Sequence, residues 1–179
     1  MSCLFHFSDD PAIVRFLPRP VRIASDRPPG MEWLNGPLVW AVDDRHQPMY
    51  LFPRELPRIL VWPKTTTTEA DRYAYFGDSN ARMPAYIEPP WQTTLEQGRV
   101  LRYELPAGSF TSLDDAGMWV SRDTVGPIDC QELRDLPAVL SQHAVELRIV
   151  PALASSLPVW NTTLHASGIR LRNAVNGML

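Results

Sequence analysis

The sequence predicts an α+β fold: one domain over residues 1–179, with a mixed, mostly antiparallel sheet of about six to eight strands and several short helices. Three observations lead there. The apolar runs are short and rich in β-branched and aromatic side chains, the pattern of strands. Helical periodicity occurs only in brief stretches that interrupt the strands irregularly, unlike the regular alternation of an α/β chain. Eighteen prolines, about twice the usual share, sit at the edges of those runs and punctuate many short elements.

The elements follow in order. Cys3 to Phe7 alternates around His6 and reads as a strand, with Leu4, His6 and Ser8 on one face. Asp9-Asp10-Pro11 gives an acidic cap and a first-turn proline to a short helix through Phe16. Leu17 to Gly36 is a long irregular segment, and such a length in a compact domain marks a lid or functional loop. Pro37 to Val42 reads as a buried strand, and Asp43 as the N-cap of a two-turn helix that would put His46 and Tyr50 on one face. Arg58 to Trp62 reads as a strand ended by Pro63. Thr68 caps a helix from Glu69 to Phe76 that Gly77 closes.

Ala81 to Glu88 reads as a strand, and Pro89-Pro90-Trp91 opens a helix ended by Gly98. Arg99 to Leu105 alternates charged and apolar residues, a strand with one wet face. Phe110 to Leu113, Met118 to Ser121 and Val125 to Leu133 are further strands. Arg134 to His143 is a helix with Leu136, Val139 and Leu140 on its apolar stripe. Val145 to Val150 is a strand, Pro151 to Ala166 a helix, and Ser167 to Asn173 a tail that frays beyond.

Composition narrows the function classes. The chain has 45% hydrophobic and 21% charged residues, which suits a globular protein able to bury about two thirds of its unfolded surface. A net charge of −3 argues against general nucleic-acid binding while leaving room for a local basic pocket. No apolar run nears the length of a membrane span, and no membrane partner is expected. The opening MSCLFHFSDD lacks the basic flank and long apolar core of a signal peptide, so a cytoplasmic protein is expected. Cys3 and Cys130, both in strand-like runs, are expected as reduced core residues.

The chemistry-bearing residues concentrate between Gly36 and Arg58. His46, Tyr50, Arg54 and Arg58 surround one strand-to-helix corner like a pocket wall. Alternating Arg170 and Arg172 would offer two guanidinium groups on one strand face, suited to phosphate or carboxylate. The alternatives are surface ion pairs for these arginines, a satisfied core histidine for His6, a packing aromatic for Tyr50 and a solvated ring for His46. The histidines at 6, 46, 143 and 165 show no metal-ligand spacing, and a site from His6, His46 and Asp43 is the weakest reading. Phosphate-cradling loops, dinucleotide fingerprints, nucleophile elbows and helical zinc-protease pairs are absent from the sequence.

Leu4-Phe5-His6-Phe7-Ser8, Asp10-Pro11, Val39-Trp40-Ala41, His46, Pro48, Tyr50 to Arg54 and Gly168 to Ala174 together resemble a family of short uncharacterised bacterial proteins, a domain of unknown function. More distantly, the order of features resembles the ADP-ribosyltransferase-like fold. In its histidine-tyrosine-glutamate branch a first-strand His bonds the nicotinamide ribose and a later Tyr stacks on nicotinamide. The resemblance implies His6 and Tyr50 as catalytic residues. It implies NAD or ADP-ribose held by His6, Ser8, Trp40, His46, Tyr50, Arg54, Arg170 and Arg172. The strand that carries the catalytic Glu in that branch corresponds to Gly117 to Arg122, which contains no acid. Without it the ribosyl cation loses its stabiliser. The implied function is thus a nucleotide-binding enzyme or ex-enzyme; the alternative is a non-catalytic ligand-binding or protein-interaction protein. A hydrolase with His6 or His46 as base is a third reading.

Overall fold

A computed structural model describes residues 3–175, and it is α+β. The chain forms two compact units, each assembled from two segments: Met1–Gln47 with Leu101–Glu132, and Pro48–Val100 with Leu133–Leu179. No single cut in the sequence separates them.

The first unit is built on a six-stranded sheet. Its strands are β1 (Leu4–Ser8), β2 (Val39–Asp43), β5 (Val100–Leu105), β6 (Thr111–Ser112), β7 (Met118–Ser121) and β8 (Asp129–Leu133), in the order β6-β7-β2-β1-β5-β8. β1 runs antiparallel to β2 and β5, with His6 opposite Tyr103. One face buries Leu4, Val39, Ala41, Leu101, Tyr103 and Leu105 against Phe16, Phe110 and Val125. Trp40 lies on the other face, with Leu34, Leu38 and Val120. The alternation of β5 that suggested one wet face is seen in half-buried Arg102 and Glu104 between buried Leu101, Tyr103 and Leu105.

The second unit holds a four-stranded sheet, order β10-β3-β4-β9, from β3 (Arg58–Trp62), β4 (Met83–Ile87), β9 (Val145–Ile149) and β10 (His165–Ile169). Only the β4–β9 pair is parallel among its neighbours. β3 and β4 are buried at every position, which explains their continuous apolar runs. Three α-helices accompany it among the described residues: α1 (Glu69–Phe76), α2 (Gln92–Gln97) and α3 (Leu136–Gln142). Thr68 Oγ1 accepts the Asp71 N–H at 3.2 Å to cap α1, and Gly77 closes it at φ 53°, both as read from the sequence.

Five expectations need correction. The strands form two sheets rather than one. No helix follows Pro11, because Asp10 Oδ1 takes the Ala12 N–H at 2.9 Å and Phe16 already bridges to Val125. The helix expected over Pro151 to Ala166 is a run of 3-10 turns over Leu153–Asn161, with Pro158 inside it, followed by β10. Cys3 and Cys130 are exposed: Cys3 precedes the first strand, and β8 is an edge strand exposed on four of its five residues. The helix expected at Asp43 is taken up below. The tail beyond Val175 lies outside the described residues.

Leu17 to Gly36 is irregular, as expected, and tied to itself and to its sheet. Arg19 bridges to Leu38, and Asn35 reaches back to Ser25 through Nδ2 at 2.9 Å. A 3-10 turn, Glu32–Asn35, buries Leu34.

Candidate functional sites

The corner after β2 is where local chemistry overrides the helical pattern. Asp43 Oδ1 accepts the His46 backbone N–H at 2.8 Å and also meets His46 Nδ1 at 2.8 Å. Gln47 Nε2 donates to Asp44 Oδ1 at 2.6 Å, while Gln47 Oε1 accepts from Arg102 at 3.0 Å. These side-chain bonds offer the backbone a tighter path than an α-helix. The chain makes a turn and then a 3-10 turn over Gln47–Tyr50, so His46 and Tyr50 do not share a helical face. Gly117 closes the corner at φ 67°: a Cβ there would lie 2.3 Å from His46 Nδ1 and 2.5 Å from Asp43 Oδ1. Asp43 and Gly117 thus set the orientation of the His46 ring.

His6 is held by its own unit. Its Nδ1 lies 2.8 Å from the Trp40 carbonyl, which can only accept, so Nδ1 carries the proton. The ring packs 4.6 Å from Phe16. β1 and β2 pair only at Leu4 and Phe5, and the imidazole takes over where their ladder stops. Ser8 Oγ accepts the Asp10 N–H at 3.2 Å and shapes the following turn. His6 and the Trp40 side chain lie on opposite faces of the sheet.

The second unit gathers Tyr50 and the arginines. Arg58 is 2% exposed and, among the partners described, bonds carbonyls: Met49 at 3.1 and 2.9 Å and Leu56 at 2.9 Å. Its guanidinium also lies over the Phe52 ring at 5.2 Å. Burial lowers its pKa to about 9; Tyr50 and Glu55 oppose that shift and Arg170 adds to it. Burial raises the Tyr50 hydroxyl, and the charges of Arg58 and Arg170 pull it back.

Arg170 and Arg172 do not alternate on a strand, as the sequence suggested. β10 ends at Ile169, Arg170 turns left-handed at φ 57°, and Arg172 lies in a 3-10 turn, Leu171–Asn173. Gly168 permits the reversal, since a Cβ there would meet Leu171 Cδ1 at 2.7 Å and Trp160 at 3.2 Å. Both guanidinium groups then converge on the 54–55 segment. Arg170 Nε donates to the Arg54 carbonyl at 3.2 Å and lies 3.4 Å from Glu55, while Arg172 reaches Glu55 at 3.2 Å. Asn173 Nδ2 bonds the same carboxylate at 3.1 Å, and that bond first, then Arg170 and Arg172, holds the Glu55 pKa below its usual value. Two arginines, Arg170 and Arg172, therefore share the carboxylate of Glu55 in the interactions described, while the buried Arg58 bonds backbone carbonyls.

The eight residues expected at one site thus divide. His6, Ser8, Trp40 and His46 belong to the first unit, and Tyr50, Arg54, Arg170 and Arg172 to the second. Within the second unit, Arg170 and Arg172 converge on Glu55. Sequence reasoning missed Glu88, fully buried at the end of β4, which accepts the Leu153 N–H and the Val175 N–H, each at 2.8 Å. An acid closing an apolar run before two prolines was its only signal. No group of three His, Cys, Asp or Glu side chains among the described residues could hold a metal ion. No helix among them is long and apolar enough to cross a membrane.

A protein-family profile described as a family of unknown function matches residues 5–174. No curated protein and no solved structure matches the chain.

Proposed function

We propose that this chain, which belongs to the family of unknown function DUF6886, is a non-catalytic binder of a small phosphate- or carboxylate-bearing molecule. The arginine cluster beside Tyr50 would be its site. The observation that carries this reading is that Arg170 and Arg172 share the single carboxylate of Glu55 while the buried Arg58 is bonded to carbonyls among the partners described. A cluster with that excess of positive charge is relieved by an anion, and the half-exposed guanidinium of Arg170 presents the planar fork that recognises one. Tyr50, partly exposed between the charges of Arg58 and Arg170, offers a ring on which a base could stack.

A nucleotide such as NAD or ADP-ribose is the first ligand class to test. Transfer chemistry has less support. His6 spends Nδ1 on the Trp40 carbonyl, and the strand Met118–Ser121 carries no acid.

Thermal shift against NAD, ADP-ribose, ATP and inorganic phosphate tests the reading. A ligand at a hundred times its dissociation constant adds about 2.7 kcal/mol, several degrees in a chain of this size. Arg170→Ala and Tyr50→Ala should each abolish the shift without lowering the melting temperature of the unliganded protein by more than a few degrees. If none of the four compounds shifts the melt, the binding reading is wrong.

A further inference from the structure

Arg170, Arg172 and Asn173 bring their donors to one point, and a carboxylate of the chain itself occupies it. Arg170 Nε lies 3.4 Å from Glu55 Oε1, while Arg172 Nη2 and Asn173 Nδ2 lie 3.2 and 3.1 Å from Oε2. Two guanidinium groups and an amide around two oxygens form the donor set that recognises a free carboxylate or phosphate. Two positive charges against one negative leave this set in excess, on side chains with 30% and 50% of their surface exposed. The backbone at 54–55 is held separately from the carboxylate. Arg170 Nε donates to the Arg54 carbonyl at 3.2 Å, and Asn173 Nδ2 to the Glu55 carbonyl at 2.7 Å. Those bonds do not need the Glu55 carboxylate, and its side chain, 54% exposed, has solvent to turn into. Exposed ion pairs hold weakly, so this contact is one that an incoming anion can break.

Resting on the anion-binding reading of this cluster, we infer that the Glu55 carboxylate is a built-in competitor for the site, which a phosphate dianion displaces and a monocarboxylate does not. A free carboxylate offers Arg170, Arg172 and Asn173 only what Glu55 already supplies. Glu55 is also tethered, at an effective concentration on the order of millimolar. A phosphate monoester brings a second negative charge and a third strong acceptor oxygen, so it meets both guanidinium groups at once. Glu55 thereby selects the ligand class and sets its affinity. If its carboxylate holds the site about nine-tenths of the time, the apparent affinity for phosphate is about ten-fold below that of the open site.

The test is two-dimensional nitrogen–proton spectroscopy of the arginine Nε–H groups at neutral pH, where a phosphate monoester is mostly dianionic. Labelled protein is titrated with methyl phosphate and, in parallel, with acetate, at constant ionic strength. Arg170→Lys identifies the Arg170 signal. Glu55→Gln removes the charge and keeps the shape, and Glu55→Ala serves if that variant does not fold. The expected result is a saturable movement of the Arg170 signal with methyl phosphate, at least ten-fold tighter in Glu55→Gln, and none with acetate in the wild type. Equal methyl phosphate affinity in the two proteins would overturn the inference, as would an equal response of the wild type to acetate. Thermal shift with ADP-ribose on both proteins tells this failure from that of the binding reading. An equal shift in both, with methyl phosphate affinity also equal, leaves a binding site without a competitor. No response of either protein to ADP-ribose or methyl phosphate overturns both.

Discussion

Replacing Glu88 by Gln exchanges one carboxylate oxygen for an NH2 group and should cost the second unit much of its stability. The side chain is fully buried and takes the Leu153 N–H on one oxygen and the Val175 N–H on the other, each at 2.8 Å. It therefore pins the start of the 3-10 run at Leu153 and the chain after Asn173 to the end of β4. A glutamine keeps the volume but has one acceptor oxygen, so one backbone N–H must face an NH2 group. Hydrogen bonds to a carboxylate contribute about 1.5–3 kcal/mol each, and leaving a buried donor unmet costs a comparable amount. Losing one bond and weakening the other gives a loss of about 3 kcal/mol. With a urea slope near 2 kcal/mol per M, the midpoint should fall by about 1.5 M with the slope unchanged. Hydrogen exchange should quicken at Leu153 and Val175 before it does in β3. A midpoint within about 0.3 M of wild type, outside which a change of stability is resolved, would refute the account of Glu88 as a buried double acceptor.

Gly117→Ala should destabilise the first unit by about 2 kcal/mol or more, because it needs a left-handed residue and drives a Cβ into His46 and Asp43; circular-dichroism melting checks it, and unchanged stability would mean the corner is loose. Asp71 accepts the Thr163 N–H at 2.8 Å and the Thr163 hydroxyl, and these bonds hold its pKa below the ordinary 3.8. A depressed carboxylate stabilises fully above its unfolded pKa and loses that contribution as pH falls through the folded one. Asp71→Asn should therefore melt lower than wild type at pH 7 and converge with it as pH falls below about 3.8; a constant gap across that range would refute the assignment. Arg172→Ala, which leaves Arg170 and Asn173 on Glu55, should weaken any phosphate-ligand shift several-fold rather than abolish it, by titration calorimetry.

Several elements were legible because their signals are local. Thr68 caps its own helix two turns before Gly77 ends it, and Ile59 to Trp62 is apolar throughout because β3 is buried on both faces. Pro89-Pro90 before α2 and the alternation of β5 belong to the same class. In each, the deciding atoms lie within a few residues along the chain. The corner at Asp43 also had local signals, but two competing ones. Helical spacing lost to Asp43 and Asp44 side chains that bond the turn itself, with Gly117 from a distant strand closing it.

What remained was decided by partners far apart in sequence. Strand-like runs do not say which strands pair, so one expected sheet became two, and β4 found its parallel partner in β9 across two α-helices and four strands. Arg170 and Arg172 read as neighbours on a strand until Gly168 let Leu171 fold back and turned both toward Glu55. His6 was recognisable as a half-buried strand histidine, yet only pairing with β2 supplied the Trp40 carbonyl that fixes its tautomer. The sequence by itself determined the local conformations, the α+β class and the residue types available for chemistry. Tertiary structure alone decided which of those side chains meet, because a hydrogen bond or ion pair depends on contact in space, and contact between distant segments leaves no periodicity along the chain.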